Sequence, residues 1–401
     1  MIIKPTIRMN VAFNAHPLGC KQYVEEQIAY AKTQKPFAGP KKVLILGGST
    51  GYGLSSRIAL AVGSNADTIN VSYEAGPGGS RTGTAGWWNN VYFEEYAKSA
   101  GLIAKDFIGD AFSDAARDAV INYIKNEFGG KIDLLVYSVA SGKRQDPKTG
   151  ETYTSSLKVI GEPLTGETID IGTGNVIERT LEPAEQSDID NTVKVMGGAD
   201  WKLWVEALNE AGVLANGFKT VTYSYIGPKA TERIYRSGTI GKAKEDMEQT
   251  AHGLNSYLEN SVHGMAASVV CKAVVTRASS VIPIFPMYGA ALMKVMKAHN
   301  IEEKTDAQIY RFMQEMLYGD KPEIDEAGRY RPDAWEMRPE IQAEVDAILE
   351  QVTADNYRQL MDIDGFIADF MHQNGFGYDN IDYEADLDLE TLNADNQLEK
   401  L

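Results

Sequence analysis

Tyrosines and lysines crowd one short stretch of this chain. Tyr223-Ser224-Tyr225-Ile226-Gly227-Pro228 is followed by Tyr235 and then by Lys242 and Lys244. A phenol can hold or protonate an oxygen on which negative charge develops. A neighbouring cation can bind ribose hydroxyls and lower the phenol's pKa, a pairing suited to hydride transfer to or from a polarised substrate. On one continuous helix the face of Tyr235 returns at Lys242, while Lys244 falls nearly opposite. But Ser237-Gly238-Thr239-Ile240-Gly241 can break or start a helix, so Tyr235 can stand outside the helix that carries the lysines. Lys242 and Lys244 both stay open on spacing alone.

A second set of residues could cradle a phosphate. The apolar run Val43-Leu44-Ile45-Leu46 enters Gly47-Gly48-Ser49-Thr50-Gly51-Tyr52-Gly53, a GxxxGxG pattern on Gly47, Gly51 and Gly53, and a helical stretch follows. Glycines there permit a tight strand-to-helix turn, let the backbone approach a pyrophosphate, and set amide donors and the positive helix end beside it. Glu74 ends the next strand, where an acid accepts hydrogen bonds from the adenosine ribose and repels a 2′-phosphate, favouring NAD(H) over NADP(H). Arg81 is the nearby group that could instead receive a phosphate. Asp110-Ala111-Phe112 and Ser138-Val139-Ala140 follow the third and fourth strands, at carboxyl ends where such sheets bind ligands. Gly76-Pro77-Gly78-Gly79-Ser80-Arg81-Thr82-Gly83 joins no clear strand to a helix and reads as a mobile loop.

The elements that must position these groups alternate. Strands are expected at 43–46, 68–72, 102–108 and 132–137, with helices at 51–62, 89–99 and 113–128, the last capped by Ser113. Alternation of this kind means a doubly wound, Rossmann-type parallel sheet. From 145 to 193 turn-rich segments separate short Thr/Val/Ile stretches, which reads as an inserted β-hairpin region, a lid on the site or a surface decoration. The pattern resumes with a helix at 200–211, strands at 218–224 and 268–275, and a helix at 242–259. Helices at 339–352 and 357–371 belong to a helical C-terminal lobe over 300–401, and the tail from Asn396 to Leu401 is expected to fray. The chain thus reads as one enlarged domain over 1–401.

Composition narrows the function. A formal charge of −17 over 401 residues, with no long Lys/Arg cluster, argues against a nucleic-acid partner. An anionic substrate would have to be met by local cations, for which Lys143, Arg144, Lys272 and Arg277 are candidates. Cys20 and Cys271, the only two cysteines, form no metal-like pattern and read as reduced, structural thiols of a cytoplasmic protein. No metal is expected, since His252, His263, His299 and His372 lack ligand spacing, and His16 reads as structural. Met1-Ile2-Ile3-Lys4-Pro5 lacks a signal-peptide core, and the apolar run Val281 to Met293 is interrupted by Pro283 and Pro286, so no membrane span is expected. Trp87 and Trp88 either touch a ligand or pack a loop.

Several motifs together resemble one family. They are Ile3-Lys4-Pro5, Asn14-Ala15-His16-Pro17, the Gly47–Gly53 turn, Val195-Met196-Gly197-Gly198, Tyr223–Pro228, Tyr235 spaced Tyr-x8-Lys to Lys244, Val275-Thr276-Arg277-Ala278-Ser279-Ser280-Val281-Ile282-Pro283, and Asp333-Ala334-Trp335-Glu336-Met337-Arg338-Pro339. The chain resembles the trans-2-enoyl-CoA reductases, which include the single-chain type V enoyl-acyl carrier protein reductases of the short-chain dehydrogenase/reductase superfamily. The resemblance covers nearly the whole chain. It implies Tyr235 as proton donor, Lys244 rather than Lys242 as the cofactor-contacting lysine, and Tyr225 as a substrate contact. It implies NAD contacts at Gly48, Ser49, Thr50, Gly51, Tyr52 and Gly53, at Glu74 and Ala75, at Ala111 and Phe112, at Val139 and Ala140, and at Ala273, Val274 and Val275.

The function so implied is NADH-dependent reduction of a trans-2-enoyl-CoA or enoyl-acyl carrier protein, by a monomer, without flavin or metal. Hydride would reach C3, the enolate oxygen would rest on the Tyr235 hydroxyl, and Val281-Ile282-Pro283-Ile284-Phe285-Pro286-Met287 would line the acyl pocket or belong to the core. A carbonyl reductase is the rival enzyme, but its usual Tyr-x3-Lys spacing would need a lysine where Thr239 stands. A non-catalytic NADH sensor of the same fold would have no use for both Tyr235 and Lys244.

Overall fold

The computed structural model describes residues 1–394, 396 and 398–401. A short N-terminal hairpin, β1 (Ile7–Arg8) and β2 (Val11–Ala12), leads into α1 (Pro17–Thr33). Next come β3 (Lys42–Leu46), α2 (Gly51–Ser64), β4 (Asp67–Ser72), α3 (Ala85–Ser99), β5 (Ala104–Ile108), α4 (Asp114–Asn126) and β6 (Ile132–Tyr137). These are the alternating elements expected from the apolar spacing. Ser113 caps α4 by accepting the Ala116 amide at 3.1 Å.

The turn-rich region forms two antiparallel hairpins, β7 (Lys143–Gln145) with β8 (Thr152–Thr154) and β9 (Leu164–Asp170) with β10 (Asn175–Leu181). Its end is helical instead: α5 (Gln186–Met196) starts at a capping box between Glu185 and Asp188, a signal present in the sequence. Then follow α6 (Ala199–Glu210), β11 (Leu214–Ser224), α7 (Glu232–Tyr235), α8 (Thr239–Val262), β12 (Met265–Val270) and α9 (Phe285–Ala298).

The strand expected at 268–275 stops at Val270. Beyond it the backbone is satisfied from elsewhere: Cys271 N bonds Ser224 O at 2.8 Å, Ala273 N bonds the Glu336 carboxylate at 2.6 Å, and Val275 O accepts Gln373 Nε2 at 2.7 Å. The C-terminal region contains α10 (Thr305–Arg311), α11 (Pro339–Gln351), α12 (Tyr357–Leu360) and α13 (Ile363–Gln373). A single helix was expected over 357–371; Asp362 breaks it, capping α13 by accepting the Gly365 amide at 3.0 Å. Nor does the tail fray as expected: β13 (Glu399–Lys400) pairs in parallel with β5. Gln397, within that expectation, lies outside the described residues.

Among the described residues the main sheet has the order β12-β11-β6-β3-β4-β5-β13, with every pairing parallel. Omitting the added edge strand β13, this is the dinucleotide-binding order in which the winding reverses between β3 and β6. Side chains alternate across the sheet. Val43, Ile45, Leu134 and Val136 pack towards α1, α2 and α3, whereas Leu44, Leu46, Leu135 and Tyr137 pack towards α4, α6 and α8. A third cluster surrounds α9 and includes Ile169 of β9 and Tyr235. No helix among the described residues is long and apolar enough to cross a membrane.

Candidate active site

The winding reversal opens a cleft of about 830 Å³ outside the carboxyl ends of β3 and β6. Gly47, at φ +83°, turns the chain there, and a Cβ on it would overlap the Ser138 carbonyl that ends β6. A Cβ on Gly53 would overlap the Gly47 carbonyl, so the turn closes only with glycine at both positions. The helix α2 then starts at the cleft with first-turn amides that have no intrahelical partner. The cradle fits a dinucleotide pyrophosphate.

Of the residues expected to contact a cofactor, Gly47, Ser49, Thr50, Gly51, Tyr52, Glu74, Ala111, Phe112, Val139 and Ala140 line this cleft. Glu74 Oε1 accepts Ser49 Oγ at 2.6 Å and Oε2 accepts Thr84 Oγ1, which fixes the carboxylate at the cleft edge. The others stand back from it. Gly48 gives its amide to Asn70 Oδ1 at 2.7 Å, Gly53 faces the turn itself, and Ala75 lines a separate surface depression with Arg81. Ala273, Val274 and Val275 line a separate, smaller cavity of about 70 Å³, while the following Thr276, Arg277 and Ala278 line the large cleft.

Tyr235 ends α7, and α8 begins only at Thr239, so the phenol and the lysines are on different helices. Lys242 is exposed and pairs with Glu245 at 2.9 Å. Lys244 turns inward and donates to the Tyr223 carbonyl at 3.0 Å, and burial lowers its pKa. Tyr52 of the cleft packs on the ring of the same Tyr223 at 5.4 Å between centroids, while Lys244 itself does not line the cleft. Thr239, where a carbonyl reductase would carry its lysine, donates to Ser156 O at 2.5 Å.

Tyr225 and Tyr235 meet edge to face at 4.6 Å, with Phe285 against both. The Tyr235 hydroxyl has no hydrogen-bond partner among the described residues, whereas Tyr225 donates to Glu336 Oε1 at 3.0 Å. Burial raises the pKa of Tyr235, with the Glu336 charge adding to the rise; the expected lowering by a lysine is not the governing effect. Tyr235 is therefore a protonated phenol at neutral pH.

Other expectations change. Lys272 is buried and donates to the Ala273 carbonyl, and Arg144 is buried with its guanidinium on the Lys194 carbonyl, so neither is a surface cation; Lys143 and Arg277 do line the cleft. Trp87 donates to Asn393 Oδ1 and Trp88 to the Thr82 carbonyl, and both pack in the core rather than in the cleft. Of the run 281–287, Val281 is exposed, while Phe285 and Met287 are buried at the start of α9. Ile284 just before Phe285 sits at φ +70°, unusual for a β-branched residue, and packs near Gly166 of β9. Both cysteines are buried and free. Asn70 was not singled out from sequence, and Ile284 and Glu336 were read only within the 281–287 run and the 333–339 motif with no role of their own, because their roles depend on partners distant in the chain.

Comparison with known proteins adds to this geometry. Residues 2–79 match a family model described as the NAD(P)H binding domain of trans-2-enoyl-CoA reductase, and residues 81–318 match the trans-2-enoyl-CoA reductase catalytic region. The chain is 50% identical over 396 residues to an enoyl-[acyl-carrier-protein] reductase [NADH] 2 of Photobacterium profundum, covering 98% of this chain and 99% of that one. It is 48% identical to a trans-2-enoyl-CoA reductase [NADH] of Clostridium beijerinckii, covering 98% and 99%. The crystal structure of a Clostridium acetobutylicum trans-2-enoyl-CoA reductase in complex with NADH superposes with a TM-score of 0.96 at 46% identity, covering 98% of this chain and 99% of that one. Residues 324–387 match a model described as an enoyl reductase FAD binding domain. That segment does not fit a flavin here. It gives the large cleft only Phe370, and the cavity lined by its Asp369, His372 and Gln373 measures about 70 Å³, far below what a flavin occupies.

Proposed function

The chain belongs to the trans-2-enoyl-CoA reductase family and reduces the C2–C3 double bond of trans-2-enoyl thioesters with NADH, and we propose that Tyr235, Tyr225 and Lys244 are the residues that carry the reaction. When bound, NADH supplies the hydride that C3 of the substrate receives. The glycine turn Gly47–Gly53 and the α2 N-terminus would hold the pyrophosphate, and Glu74 would hold the adenosine ribose and disfavour a 2′-phosphate. Ala111, Phe112, Val139 and Ala140 flank the same cleft.

The observation that carries the reading is the Tyr235 hydroxyl: protonated, without a hydrogen-bond partner among the described residues, and packed on Tyr225 beside Phe285. Such a phenol donates to the thioester oxygen as it gains enolate charge, an interaction stronger in the transition state than in the ground state. The enolate then collapses to the thioester carbonyl as C2 takes a proton drawn from solvent. Lys244, held on the Tyr223 carbonyl beside the Tyr52–Tyr223 ring pair, would contact the nicotinamide ribose of the bound cofactor. Phe285 supplies apolar surface for the acyl chain next to the reacting carbons.

The test is turnover of crotonyl-CoA with C4-deuterated NADH, with the product read by mass spectrometry. The reading requires one deuterium at C3 and a solvent hydrogen at C2. Label at C2, or reduction of the carbonyl instead of the double bond, overturns it.

A further inference from the structure

Glu336 is fully buried, remote in sequence from Tyr225, and reaches the edge of the reaction centre from the 3-10 turn Pro332–Trp335. Its Oε1 accepts the Tyr225 hydroxyl at 3.0 Å and the Tyr288 hydroxyl at 2.6 Å, and its Oε2 accepts the Ala273 amide at 2.6 Å. Tyr288 in turn accepts Gln342 Nε2 at 3.1 Å, so its own proton is left for the carboxylate. An ionised carboxylate only accepts. The Tyr225 proton is therefore committed to Glu336, and Tyr225 presents lone pairs and a ring edge, but no proton, to its neighbours. Tyr235, 4.6 Å away between ring centroids, has no such acceptor among the described residues.

We propose that Glu336 is a positioning residue of this active site: one carboxylate fixes Tyr225 and the Ala273 backbone in a single register and commits the Tyr225 proton, leaving Tyr235 the phenol that donates to substrate. This rests on the reading of Tyr235 as donor and Tyr225 as a substrate contact given above.

Ionisation of Glu336 provides a readout that a purely structural role would not move. Burial raises its carboxyl to about 7, opposed by the Tyr288 hydroxyl, the Ala273 amide and the Lys272 charge, and assisted by Asp333. The titratable groups facing it are Tyr225 after β11, Tyr288 of α9, Tyr235 of α7, Tyr52 of α2, Lys272 after β12 and Asp333 of its own turn. All four phenols are pushed up by burial and stay neutral through this range. Below about 7 the carboxyl takes up a proton, must donate it, and one of its three hydrogen bonds is lost; kcat then falls as pH falls.

The experiment measures crotonyl-CoA reduction between about pH 5.5 and 9 by the full chain carrying Glu336→Gln, Tyr225→Phe, both, or neither. Glu336→Gln is expected to lower kcat about tenfold or more with little change in KM for NADH, as loss of a hydrogen bond to a charged group implies. It should also lose the acidic limb and cost less than about threefold further in the Tyr225→Phe background. Equal losses in both backgrounds, or an acidic limb kept by Glu336→Gln, overturn the proposal. Should Glu336→Gln fail to fold, Tyr288→Phe frees the same oxygen for Tyr225 alone. Its effect on kcat must then vanish with Tyr225→Phe, and additive effects overturn the proposal. Full activity of Tyr235→Phe would instead reject the underlying reading, while the Glu336–Tyr225 coupling would still be read from its own cycle.

Discussion

Asn70 ties the glycine turn to the buried core. Its Oδ1 accepts the Gly48 amide at 2.7 Å, and its Nδ2 donates to Asp106 Oδ1 at 2.8 Å. Asp106 in turn holds Arg57 through two 2.8 Å bonds, with all three side chains fully buried. Asn70→Ala leaves the Gly48 amide without its acceptor, which costs about 1–3 kcal/mol, and removes a bond to a charged group, a further ~1.5–3 kcal/mol. The expected loss of stability is about 2.5–6 kcal/mol, read from the urea midpoint by tryptophan fluorescence. The anchor that fixes the Gly48 amide is also gone, so the turn no longer presents one geometry to a pyrophosphate. NADH affinity should fall about tenfold, equivalent to ~1.4 kcal/mol, in a fluorescence titration. A stability loss under about 1 kcal/mol, or a destabilised variant that binds NADH as tightly as the wild type, would refute this account of the turn.

Three further outcomes follow from the same geometry. Glu74→Gln removes the charge held by Ser49 and Thr84, and should raise the kcat/KM ratio of NADPH to NADH about tenfold; parallel assays showing an unchanged ratio would contradict the role of Glu74. Lys242→Ala should leave turnover within about twofold, because an exposed i,i+3 pair contributes little. Lys244→Ala should lower kcat/KM for NADH about tenfold or more, and a reversal of that order would return the choice to Lys242. His16 is buried, accepts the Gly19 amide through Nδ1, and has its pKa lowered by burial to about 4 from 6.5. The folded state then binds fewer protons than the unfolded one between those values, so the His16 contribution is intact above pH 6.5 and is lost as pH falls towards 4. Melting curves over that window should show a steeper decline for the wild type than for His16→Asn, which caps without titrating. Identical slopes would refute it.

What was legible in the sequence is what local pattern determines. Val43–Leu46 running into Gly47–Gly53 needed only an apolar run and glycine spacing, and the strand-end residues Ala111, Phe112, Val139 and Ala140 followed from where each strand stops. The choice between Lys242 and Lys244 was not settled by spacing, because helical periodicity holds only within one helix and Tyr235 and Lys244 lie on two. Residues 271–275 look like strand because Val274 and Val275 continue the apolar run from 268, yet their backbone partners include Glu336 and Gln373, distant in the chain. Lys272 and Arg144 read as surface cations for the same reason: their burial is set by long-range packing. Asn70 carries no local signature, and Glu336 stood in the 333–339 motif without a role, since a buried amide or carboxylate declares its role only through the groups that meet it.

The central claim is that the Tyr235 hydroxyl stabilises charge on the substrate oxygen during reduction. Rapid mixing of NADH-bound wild type or Tyr235→Phe with crotonyl-CoA, following the loss of NADH absorbance in a single turnover, measures that step directly. The account predicts a rate lower by about 10²–10³-fold in the variant, with NADH affinity and melting temperature close to the wild type. A single-turnover rate within about threefold of the wild type would contradict it.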